Sequence, residues 1–501
     1  MTARRPSRAE ALALLAVLAL SVALRLHNIT VPLVDTSDWR QTDTAAIAYF
    51  YYHLGIHLMH PQLWHDGPGP DYTQLEFQIT PAIVAVLAHL VGFGHTLLRA
   101  VALAFFSATA VPLWALVRRH YGPSTALWTC LVYVLLPVGV FFGRTFQPEN
   151  AQLFFGMAGL WAADRFGERR TAGRLGLAAL ALSLAVLAKL PNLMLLVPAA
   201  ALADQDILWK WREIFSWRRF SPAAALVVFP TGIGAAYTLL QSAITTAAGG
   251  TRYVNFIVLS LSNHYIAGTT NLGRFVWHDV LGIAVTPAGV VLGLIGAVAL
   301  WRTRRAGWVW AWAGAVAVYG GVVLRAIRFQ YYLMPLLPFF ALLAGAGLAV
   351  LTGPAVRRLP RAAAWLPQLG AAALVVSILA SGLFEIQAYW TPYWPWYRQG
   401  VALRSYLPPD AVVILSGTYN PTLLYYARRH GYRASPLTMS ELRADVAGGA
   451  RYVLDDGGLD TCMADYFAQN FQAVGIAGLT VWEVPAQLPQ PLGNLSGNCL
   501  D

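Results

Sequence analysis

Charged residues are scarce in this sequence, and their scarcity excludes a soluble protein. Asp, Glu, Lys and Arg together make up 12% of the 501 residues, whereas hydrophobic residues make up 57%. The apolar residues form long uncharged runs of Ala, Leu and Val, and about 20 such residues are enough for a helix to cross a bilayer. The composition is therefore typical of an α-helical membrane protein with many spans.

Lysine is almost absent, since Lys189 and Lys210 are the only two, and arginine carries nearly all of the net charge of +11. The arginines lie in short clusters between apolar segments rather than in one patch, which argues against a nucleic-acid-binding protein. Such clusters instead follow the positive-inside rule, by which short cytoplasmic loops are rich in Lys and Arg. The apolar segment 9–26 has no small-residue cleavage site after it, so we expect a retained first helix with a cytoplasmic N-terminus rather than a signal peptide.

Cysteine is also rare, with three residues in the whole chain. Cys130 lies in a predicted span and is expected to be an inert packing residue. Cys462 and Cys499 lie in a region expected outside the cytoplasm, where oxidising conditions permit a disulfide. The sequence leaves open whether these two cysteines are bonded or are free thiols.

The basic clusters predict how the chain crosses an inner or plasma membrane. Placing them in the cytoplasm gives eleven crossings, an extracytoplasmic C-terminus and two large outer loops, 28–96 and 243–279. Within the first loop, segments 42–60 and 81–94 are expected to be interfacial or re-entrant helices. The predicted spans are 9–27, 97–117, 125–143, 150–166, 174–189, 192–205, 221–242, 280–300, 307–324, 330–350 and 365–384.

The composition changes after Glu385, where an aromatic stretch resembles the belt found at bilayer interfaces. Short β-like runs then alternate with helical patterns, so we expect a transmembrane module, 1–385, and a small extracytoplasmic α/β domain, 386–501. The expected strands are 411–415, 451–454 and 479–484, and the expected helices are 421–429, 440–446 and 463–470.

One acidic pair follows a predicted strand of this domain, in the sequence Asp455-Asp456-Gly457-Gly458. The residue types are those of a tight turn. The position, at the carboxyl end of a strand, also suits a ligand site of an open α/β sheet. Both interpretations remain open at the level of sequence.

The first outer loop concentrates charge at a membrane boundary. Asp35, Asp38, Arg40 and Asp43 lie within nine residues, and charge at a bilayer edge is costly unless it is solvated, paired or used. Acids at this position would meet the head group of a lipid-linked substrate. Asp43 also fits a helix N-cap before the Ala-rich segment that follows it.

Several basic residues run against the positive-inside rule, and an anionic lipid phosphate would hold them, since guanidinium groups match phosphate geometry. Simpler explanations exist for some outer residues taken alone. Glu149 fits an acid in the first turn of a helix, where the helix dipole favours a negative charge. Lys189 fits a side chain that snorkels to the lipid head groups. His264 fits an ordinary loop histidine. The outer basic residues are Arg40, Arg144, Lys189, Arg252, Arg274, Arg325 and Arg328.

Five segments, by their order and their side of the membrane, together resemble GT-C glycosyltransferases. The resemblance covers the membrane region to about residue 350 and is nearest to bacterial family-39 enzymes. Related groups are the protein O-mannosyltransferases, the lipid A aminoarabinose transferase and the rhizobial lipopolysaccharide galacturonosyltransferases. The segments are Trp39 to Ala48, the stretch around Glu76, Arg144 to Glu149, Ala188-Lys189-Leu190-Pro191, and Tyr331-Tyr332-Leu333-Met334-Pro335 with Pro338.

This resemblance implies a GT-C fold and an inverting enzyme that moves a hexose or pentose from a polyprenyl-phosphate donor. The acceptor is a hydroxyl of a glycolipid, polysaccharide or protein on the extracytoplasmic face. Asp43 or Asp38 is implied as the general base, with Glu149 as a further catalytic candidate. Glu76 and His264 are implied as ligands of a divalent metal ion, which suits a carboxylate–imidazole pair. The implied donor-phosphate contacts are Arg40, Arg144, Lys189, Arg325, Arg328, Tyr331 and Tyr332.

Two other classes of membrane protein compete with this interpretation. A flippase or transporter of lipid-linked sugars would carry charges deep within its spans, along a path, whereas here the ionisable residues cluster at predicted helix ends. An O-antigen-ligase-like enzyme with a diphosphate-linked donor would have one long, arginine-rich outer loop, and the loop at 243–279 is short for that.

Overall fold

The computed structural model describes residues 6–204, 217–252, 267–269, 271–303, 307–353 and 365–489. The chain divides into two compact units. The first, called here the helical unit, comprises Met1–Ile29, Thr96–Leu239 and Asn255–Trp390. The second, the mixed unit, comprises Thr30–His95, Leu240–Val254 and Thr391–Asp501.

Helices make up nearly all of the helical unit, together with the two-residue strands β4 (Ala267–Gly268) and β5 (Ile327–Arg328), which pair in parallel. A π-helix, α12, interrupts the regular hydrogen bonding. The helices are α1 (Arg8–Arg25), α4 (His95–Tyr121), α5 (Pro123–Leu135), α6 (Pro137–Phe142), α7 (Glu149–Glu168), α8 (Ala172–Ala188), α9 (Leu196–Ala203), α10 (Trp217–Ala247), α11 (Leu272–Arg274), α12 (Phe275–Ala284), α13 (Pro287–Trp301), α14 (Gly307–Ala326), α15 (Leu337–Leu351) and α16 (Leu366–Glu385), with 3₁₀ turns at Leu190–Leu195, Gln330–Leu336 and Gln387–Trp390.

Five helices in the described part of the chain are long and apolar enough to cross a membrane, and a sixth span results if α11–α12 and α13, bent by 74°, count as one. The helices α1 and α7 have comparable length but carry three or more charged residues each, which explains why they fall short of this composition. The predicted number of eleven crossings stays a prediction. The five are His95–Tyr121, Pro222–Ala247, Gly307–Ala326, Gln330–Leu351 and Leu366–Glu385.

Glycines let the apolar helices approach one another closely. A Cβ atom at Gly296 of α13 would meet the backbone carbonyl of Leu343 in α15, and one at Gly347 of α15 would meet the carbonyl of Leu292 in α13. In lipid, helices associate through close packing rather than through a hydrophobic driving force, and small residues at the contact make that packing possible.

The mixed unit combines segments that lie far apart in the sequence. Its main sheet has the strand order β7-β6-β8-β10-β9, with β6 parallel to β7 and β8, and β10 antiparallel to β8 and β9. A smaller sheet joins β1, β2 and β3. The elements are α2 (Asp38–Leu54), β1 (Gln62–Leu63), β2 (Asp71–Gln74), α3 (Ile79–Val91), β3 (Thr251–Arg252), α17 (Trp394–Tyr406), β6 (Val413–Ser416), α18 (Thr422–Ala427), β7 (Gly431–Ala434), α19 (Met439–Ala447), β8 (Tyr452–Asp455), α20 (Thr461–Asn470), β9 (Ala473–Ile476) and β10 (Leu479–Glu483).

The strand β6, which lies between β7 and β8, is buried along its whole length and faces two cores. Val413 and Leu415 belong to the core that contains Ile47 and Phe50 of α2, whereas Ile414 belongs to the core formed with α19 and α20. Successive strand residues point to opposite faces. The helix α2 of the first loop therefore shares a core with the C-terminal sheet.

Backbone hydrogen bonds attach the loop between β1 and β2 to the strand β7. The amide of Gly431 donates to the carbonyl of Trp64 (3.1 Å), and the carbonyl of Gly431 accepts from the amides of Asp66 (3.0 Å) and Gly67 (3.1 Å). This attachment fixes His65 and Asp66 beside the C-terminal sheet.

The predicted C-terminal strands correspond to β6, β8 and β10, and the predicted helices to α18, α19 and α20. Of the segment 42–60, expected as an interfacial helix, residues 42–54 belong to α2 and residues 55–60 follow it. The segment 81–94 corresponds to α3. The division at residue 386 remains a prediction, because spatial grouping does not show which segment folds by itself.

Candidate functional site

The helical unit buries an ion pair between Lys189 and Glu149. Glu149 is the first residue of α7, directly after Pro148, and Lys189 is the C-cap of α8, where Pro191 prevents the helix from continuing. Glu149 is 1% exposed and Lys189 is 3% exposed. The explanation of Lys189 as a side chain that snorkels to the head groups is therefore wrong, because the ammonium group is directed inward to a carboxylate. The position of Glu149 in a first turn is confirmed.

Two tyrosines of the 3₁₀ turn Gln330–Leu336 surround the same ammonium group. The Nζ atom of Lys189 lies 4.3 Å from the ring centre of Tyr332 and 5.2 Å from that of Tyr331. The hydroxyl of Tyr319 donates to the backbone carbonyl of Tyr332 (2.8 Å) and fixes this turn. Aromatic faces stabilise a buried cation, so the two tyrosines help to accommodate the charge of Lys189.

The predicted phosphate contacts Arg325 and Arg328 differ in exposure. Arg328 is buried, and its Nε atom donates to the carbonyl of Leu324 (2.7 Å). Arg325 is exposed at the end of α14. Only Arg328 of the two is enclosed by protein.

Arg144 is fully buried between aromatic rings in the helical unit. Its guanidinium carbon lies 4.3 Å from the ring centre of Trp390 and 5.1 Å from that of Phe141, and one terminal nitrogen donates to the carbonyl of Asn28 (3.3 Å). Arginine is more weakly hydrated than lysine and stacks on aromatic rings, which explains how this charge is accommodated.

In the mixed unit, Asp43 lies in the second turn of α2 and is 4% exposed. Ser37 occupies the N-cap position, so the interpretation of Asp43 as a helix cap is wrong. The Oδ1 atom of Asp43 lies 3.1 Å from Nε2 of His65. The carboxylate is thus held by an imidazole from the following loop.

His65 stands between two carboxylates. Its Nδ1 atom lies 3.1 Å from Oδ1 of Asp66, and Arg433 of β7 donates to the same Asp66 oxygen (2.7 Å). Burial alone would lower the pKa of His65, but Asp43 and Asp66 outweigh burial and raise this pKa to about 9. Burial would raise the pKa of Asp66, but His65 and Arg433 hold it well below its usual range.

Asp38, the second candidate base, is half-buried at the start of α2. Its Oδ2 atom accepts a hydrogen bond from Nδ2 of Asn420 (3.1 Å). Burial raises the pKa of Asp38 to about 6, and the hydrogen bonds from the Trp39 backbone and from Asn420 oppose that rise. A carboxyl group with such a pKa changes charge close to neutral pH.

Arg40 and Glu76, for which different roles were predicted, bind each other. One terminal nitrogen of Arg40 lies 2.6 Å from each carboxylate oxygen of Glu76. His264, the other predicted metal ligand, lies outside the described residues. In the part of the chain that the structure describes, no group of three or more His, Cys, Asp or Glu side chains is arranged to hold a metal ion, and Glu76 is already paired with a cation.

A cavity of about 420 Å³ opens in the mixed unit beside this cluster, lined by residues 65–73 and 248–250. Asp71 on its wall lies 2.9 Å from Nδ1 of His430. Gly69 lies against the His430 ring, where a Cβ atom would come within 2.7 Å of a ring carbon. Glycine at this position allows the loop to pack on the imidazole.

The acidic pair after β8 forms a turn. The Oδ1 atom of Asp455 accepts hydrogen bonds from the amides of Gly458 (2.8 Å) and Leu459 (3.2 Å), and Asp456 is exposed. Hydrogen bonds from backbone amides to the side chain of a preceding Asp are typical of a tight turn, the first of the two interpretations. Cys462 nearby is disulfide-bonded, Cys130 is a buried free thiol as expected, and Cys499 lies outside the described residues.

Several residues that contact the candidate bases, directly or through other side chains, were not predicted. His65 and Asp66 follow each other in the first loop, and their adjacency to an acid-rich segment was a weak signal. Asn420 and Arg433 lie more than 350 residues further along the chain from the residues they contact, and no local pattern in the sequence indicates this contact.

Each unit thus offers one chemical function. The helical unit has a buried ammonium group and several buried guanidinium groups, among them those of Arg144 and Arg328, which suit a phosphate. The mixed unit has carboxylates held by neighbouring side chains, which suit proton transfer.

Comparison with known proteins agrees with the fold. A family model described as dolichyl-phosphate-mannose-protein mannosyltransferase matches residues 79–232. ArnT from Cupriavidus metallidurans, bound to undecaprenyl phosphate, is 14% identical, with 96% of this chain and 98% of that chain covered and a TM-score of 0.65. No curated protein is a detectable sequence relative of this chain.

A second similar structure is the oligosaccharyltransferase of Archaeoglobus fulgidus. Its apo form is 13% identical, covering 89% of this chain and 69% of that chain, with a TM-score of 0.61. The same enzyme in complex with Zn and sulfate has a TM-score of 0.56, with 14% identity and coverage of 91% and 69%. ArnT and this oligosaccharyltransferase are GT-C glycosyltransferases, so the chain has the GT-C fold, and the resemblance seen in its sequence is confirmed.

Proposed function

We propose that this protein is an inverting glycosyltransferase that moves a sugar from a polyprenyl monophosphate to an acceptor hydroxyl. The reaction takes place on the extracytoplasmic face of the inner or plasma membrane. The observation that carries the proposal is the buried Lys189–Glu149 pair beneath Tyr331 and Tyr332, in a chain with the GT-C fold. ArnT, which shares this fold, was crystallised with undecaprenyl phosphate, the kind of lipid that the proposed donor would release.

The proposed reaction is a direct displacement at the anomeric carbon. The acceptor oxygen attacks from the face opposite the phosphate, and its proton passes to a carboxylate, Asp43 first and Asp38 as the alternative. The bond between the anomeric carbon and the phosphate oxygen breaks, and its electron pair leaves on the polyprenyl phosphate. A positioned base contributes about 10²–10⁴-fold to such a reaction.

Cations of the helical unit stabilise the leaving phosphate in this proposal. Lys189, Arg144 and Arg328 are all buried, and charges aimed at a developing anion act more strongly where water is excluded. Glu149 keeps the ammonium group of Lys189 in place until phosphate arrives. Arg40, Arg325 and the two tyrosines remain proposed contacts, and Arg40 is hydrogen-bonded to Glu76.

The positions of the buried charges favour an enzyme over a lipid-linked sugar flippase. Glu149 is the first residue of α7 and Lys189 directly follows α8, so both stand at helix ends. A flippase would need ionisable groups along a path through the spans.

The decisive test is transfer by the purified protein from a panel of donors. The panel contains mannosyl, aminoarabinosyl and galacturonosyl polyprenyl monophosphates and one diphosphate-linked sugar, each with an extract of cell-envelope glycolipids as acceptor. We expect transfer from a monophosphate donor, with a loss of at least about 100-fold in D43N and a smaller loss in D38N. Transfer from the diphosphate alone would favour the ligase-like alternative, and lipid movement without transfer would favour the flippase.

Phosphate recognition can be tested without the acceptor, by binding of undecaprenyl phosphate to the detergent-solubilised protein. The variant K189M/E149Q removes both charges of the buried pair and is expected to weaken binding about tenfold or more, since charge-assisted hydrogen bonds are the strong ones. R302M is the matched control, because Arg302 is exposed at the predicted cytoplasmic end of α13. Equal binding by both variants would contradict the assignment of Lys189.

The divalent metal remains a separate prediction, and no step proposed above depends on it. Transfer is measured before and after dialysis against EDTA, and then with Mg²⁺, Mn²⁺ or Zn²⁺ restored. Transfer unchanged by chelation would rule out the predicted role of Glu76 and His264.

A further inference from the structure

We propose that the C-terminal sheet positions the candidate base through a chain of charged side chains, in which His65 holds Asp43 and Arg433 acts on His65 through Asp66. The inference rests on the proposed function, in which Asp43 takes the acceptor proton. It assigns a role in that reaction to Arg433 of the C-terminal part of the chain, a residue that belongs to none of the sequence motifs described above.

The contacts of the chain are short and continuous. Arg433 lies 2.7 Å from Oδ1 of Asp66, Asp66 lies 3.1 Å from Nδ1 of His65, and Nε2 of His65 lies 3.1 Å from Oδ1 of Asp43. The two inner members are well shielded, with 6% of the His65 side chain and 5% of the Asp43 side chain exposed. Shielding from water strengthens each electrostatic contact.

The backbone holds the outer members of the chain in register. Asp66 and Gly67 are bonded through their amides to Gly431, two residues before Arg433. Arg433 itself donates to the carbonyl of Tyr419 (2.9 Å), and its guanidinium carbon lies 5.2 Å from the ring centre of Trp39. Arg433 thus has a fixed place from which to act on Asp66.

The charges around His65 favour an imidazolium, whose Nε2 atom is hydrogen-bonded to Asp43 and whose Nδ1 atom lies within ion-pair distance of Asp66. Asp43 faces it from α2, Asp66 from its own loop and Arg433 from β7, and Asp71 with His430 forms a further pair on the same loop and strand end. The two carboxylates raise the pKa of His65 to about 9 against the opposing effect of burial. An imidazolium bonded to Oδ1 of Asp43 fixes the direction in which the second carboxylate oxygen points.

The first test measures transfer by four variants with the monophosphate donor that is active in the panel. H65Q keeps a hydrogen-bond donor but no charge, D66N and R433M interrupt the chain further out, and R443M is the control, because Arg443 is exposed on α19. We expect kcat to fall about 10–100-fold in H65Q, as for other residues that orient a reacting group, with KM for the donor changed less than twofold. R433M is expected to lose less, and R443M nothing.

The pH profile and the double variant distinguish positioning from structural support. Because the charge of His65 is lost as the pH rises through about 9, kcat/KM of the wild type should change in that range, whereas kcat/KM of H65Q should not. If Arg433 acts through His65, the variant H65Q/R433M should be no slower than H65Q. Multiplied losses in the double variant, the same pH profile for H65Q and the wild type, or R433M equal to R443M would each overturn the inference.

A spectroscopic measurement keeps the inference testable if R433M does not fold. In ¹⁵N-histidine-labelled protein, the imidazole signal that is missing in H65Q should remain doubly protonated to about pH 9, and D66N should lower its midpoint. A midpoint near 6.5 that D66N leaves unchanged would overturn the chain. Failure of the proposed function is recognised separately, because the wild type would then show no transfer from any monophosphate donor. Failure of the base assignment is recognised because D43N would then retain transfer.

Discussion

At the scale of single residues, this protein accommodates charge by pairing it inside the fold. Arg25, which is 0% exposed, shows the pattern: its guanidinium donates to the carbonyls of Gly139 (3.0 Å), Ser21 (2.9 Å) and Val134 (3.0 Å) and lies over the Phe106 ring. A buried charge is tolerated when its donors are satisfied. The Lys189–Glu149 pair follows the same rule with a carboxylate as the partner.

The Lys189–Glu149 pair yields a prediction about stability. Removing one partner takes the opposite charge away from the other, so K189M and E149Q should each lower the free energy of unfolding by about 3–5 kcal/mol. The double variant K189M/E149Q should lose much less, because it removes both charges together. Thermal unfolding in detergent compares the three with R302M as the control, and equal losses for the double variant and the single variants would contradict the pairing.

His65 yields a prediction about pH. Its pKa in the folded protein is about 9, above the ordinary value of 6.5, so its contribution is fully present below pH 6.5 and is lost as the pH rises through 9. Each pKa unit corresponds to about 1.4 kcal/mol, so the contribution is on the order of 3 kcal/mol. Wild type should therefore exceed H65Q in unfolding free energy at pH 6 and approach it at pH 10. A constant difference across this range would show that the charge of His65 is not involved.

At the scale of elements, close helix packing depends on where glycine lies. Gly347 of α15 faces the backbone of α13, whereas a Cβ atom at Gly320 of α14 would meet nothing within 4 Å. The two glycines have the same intrinsic helix propensity, and only their surroundings differ.

The corresponding prediction compares two identical substitutions. G347A should destabilise the protein by about 1–3 kcal/mol, because the added methyl group forces the helices apart. G320A should be neutral or stabilising by up to about 1 kcal/mol, because alanine favours the helix. Unfolding temperatures of the two variants in the same detergent measure the difference, and a G347A protein as stable as G320A would mean that α13 and α15 do not pack as described.

At the scale of the whole molecule, the distribution of arginine predicts orientation. Clusters near residues 118, 170 and 302 are expected in the cytoplasm, and the sheet of the mixed unit is expected outside it. An enzyme that uses a donor on the extracytoplasmic face needs this orientation.

Alkaline phosphatase fusions test the orientation, because the phosphatase is active only outside the cytoplasm. A fusion after residue 489 should be active, and fusions after residues 121 and 170 should be inactive. Green fluorescent protein fused at the same points should give the reverse pattern. An active fusion after residue 121 would require the first spans to be reassigned.

The sequence by itself determined the class of the protein, because about 20 apolar residues in a row have one stable environment. The resemblance also singled out Glu149 as a catalytic candidate and Lys189, Tyr331 and Tyr332 as phosphate contacts, but it did not predict that Lys189 and Glu149 pair. The periodicity of the C-terminal segment was enough to locate β6, β8 and β10 to within about two residues.

Only the tertiary structure decided which partners the charged side chains have. The sequence around Asp43 fits a helix cap, yet its carboxylate is bonded to a histidine 22 residues away. Arg433 donates to Asp66, which lies 367 residues earlier in the sequence. The physical reason is the range of the interactions. Hydrophobic periodicity and helix signals act over a few residues, whereas ion pairs depend on distances that exist only after folding.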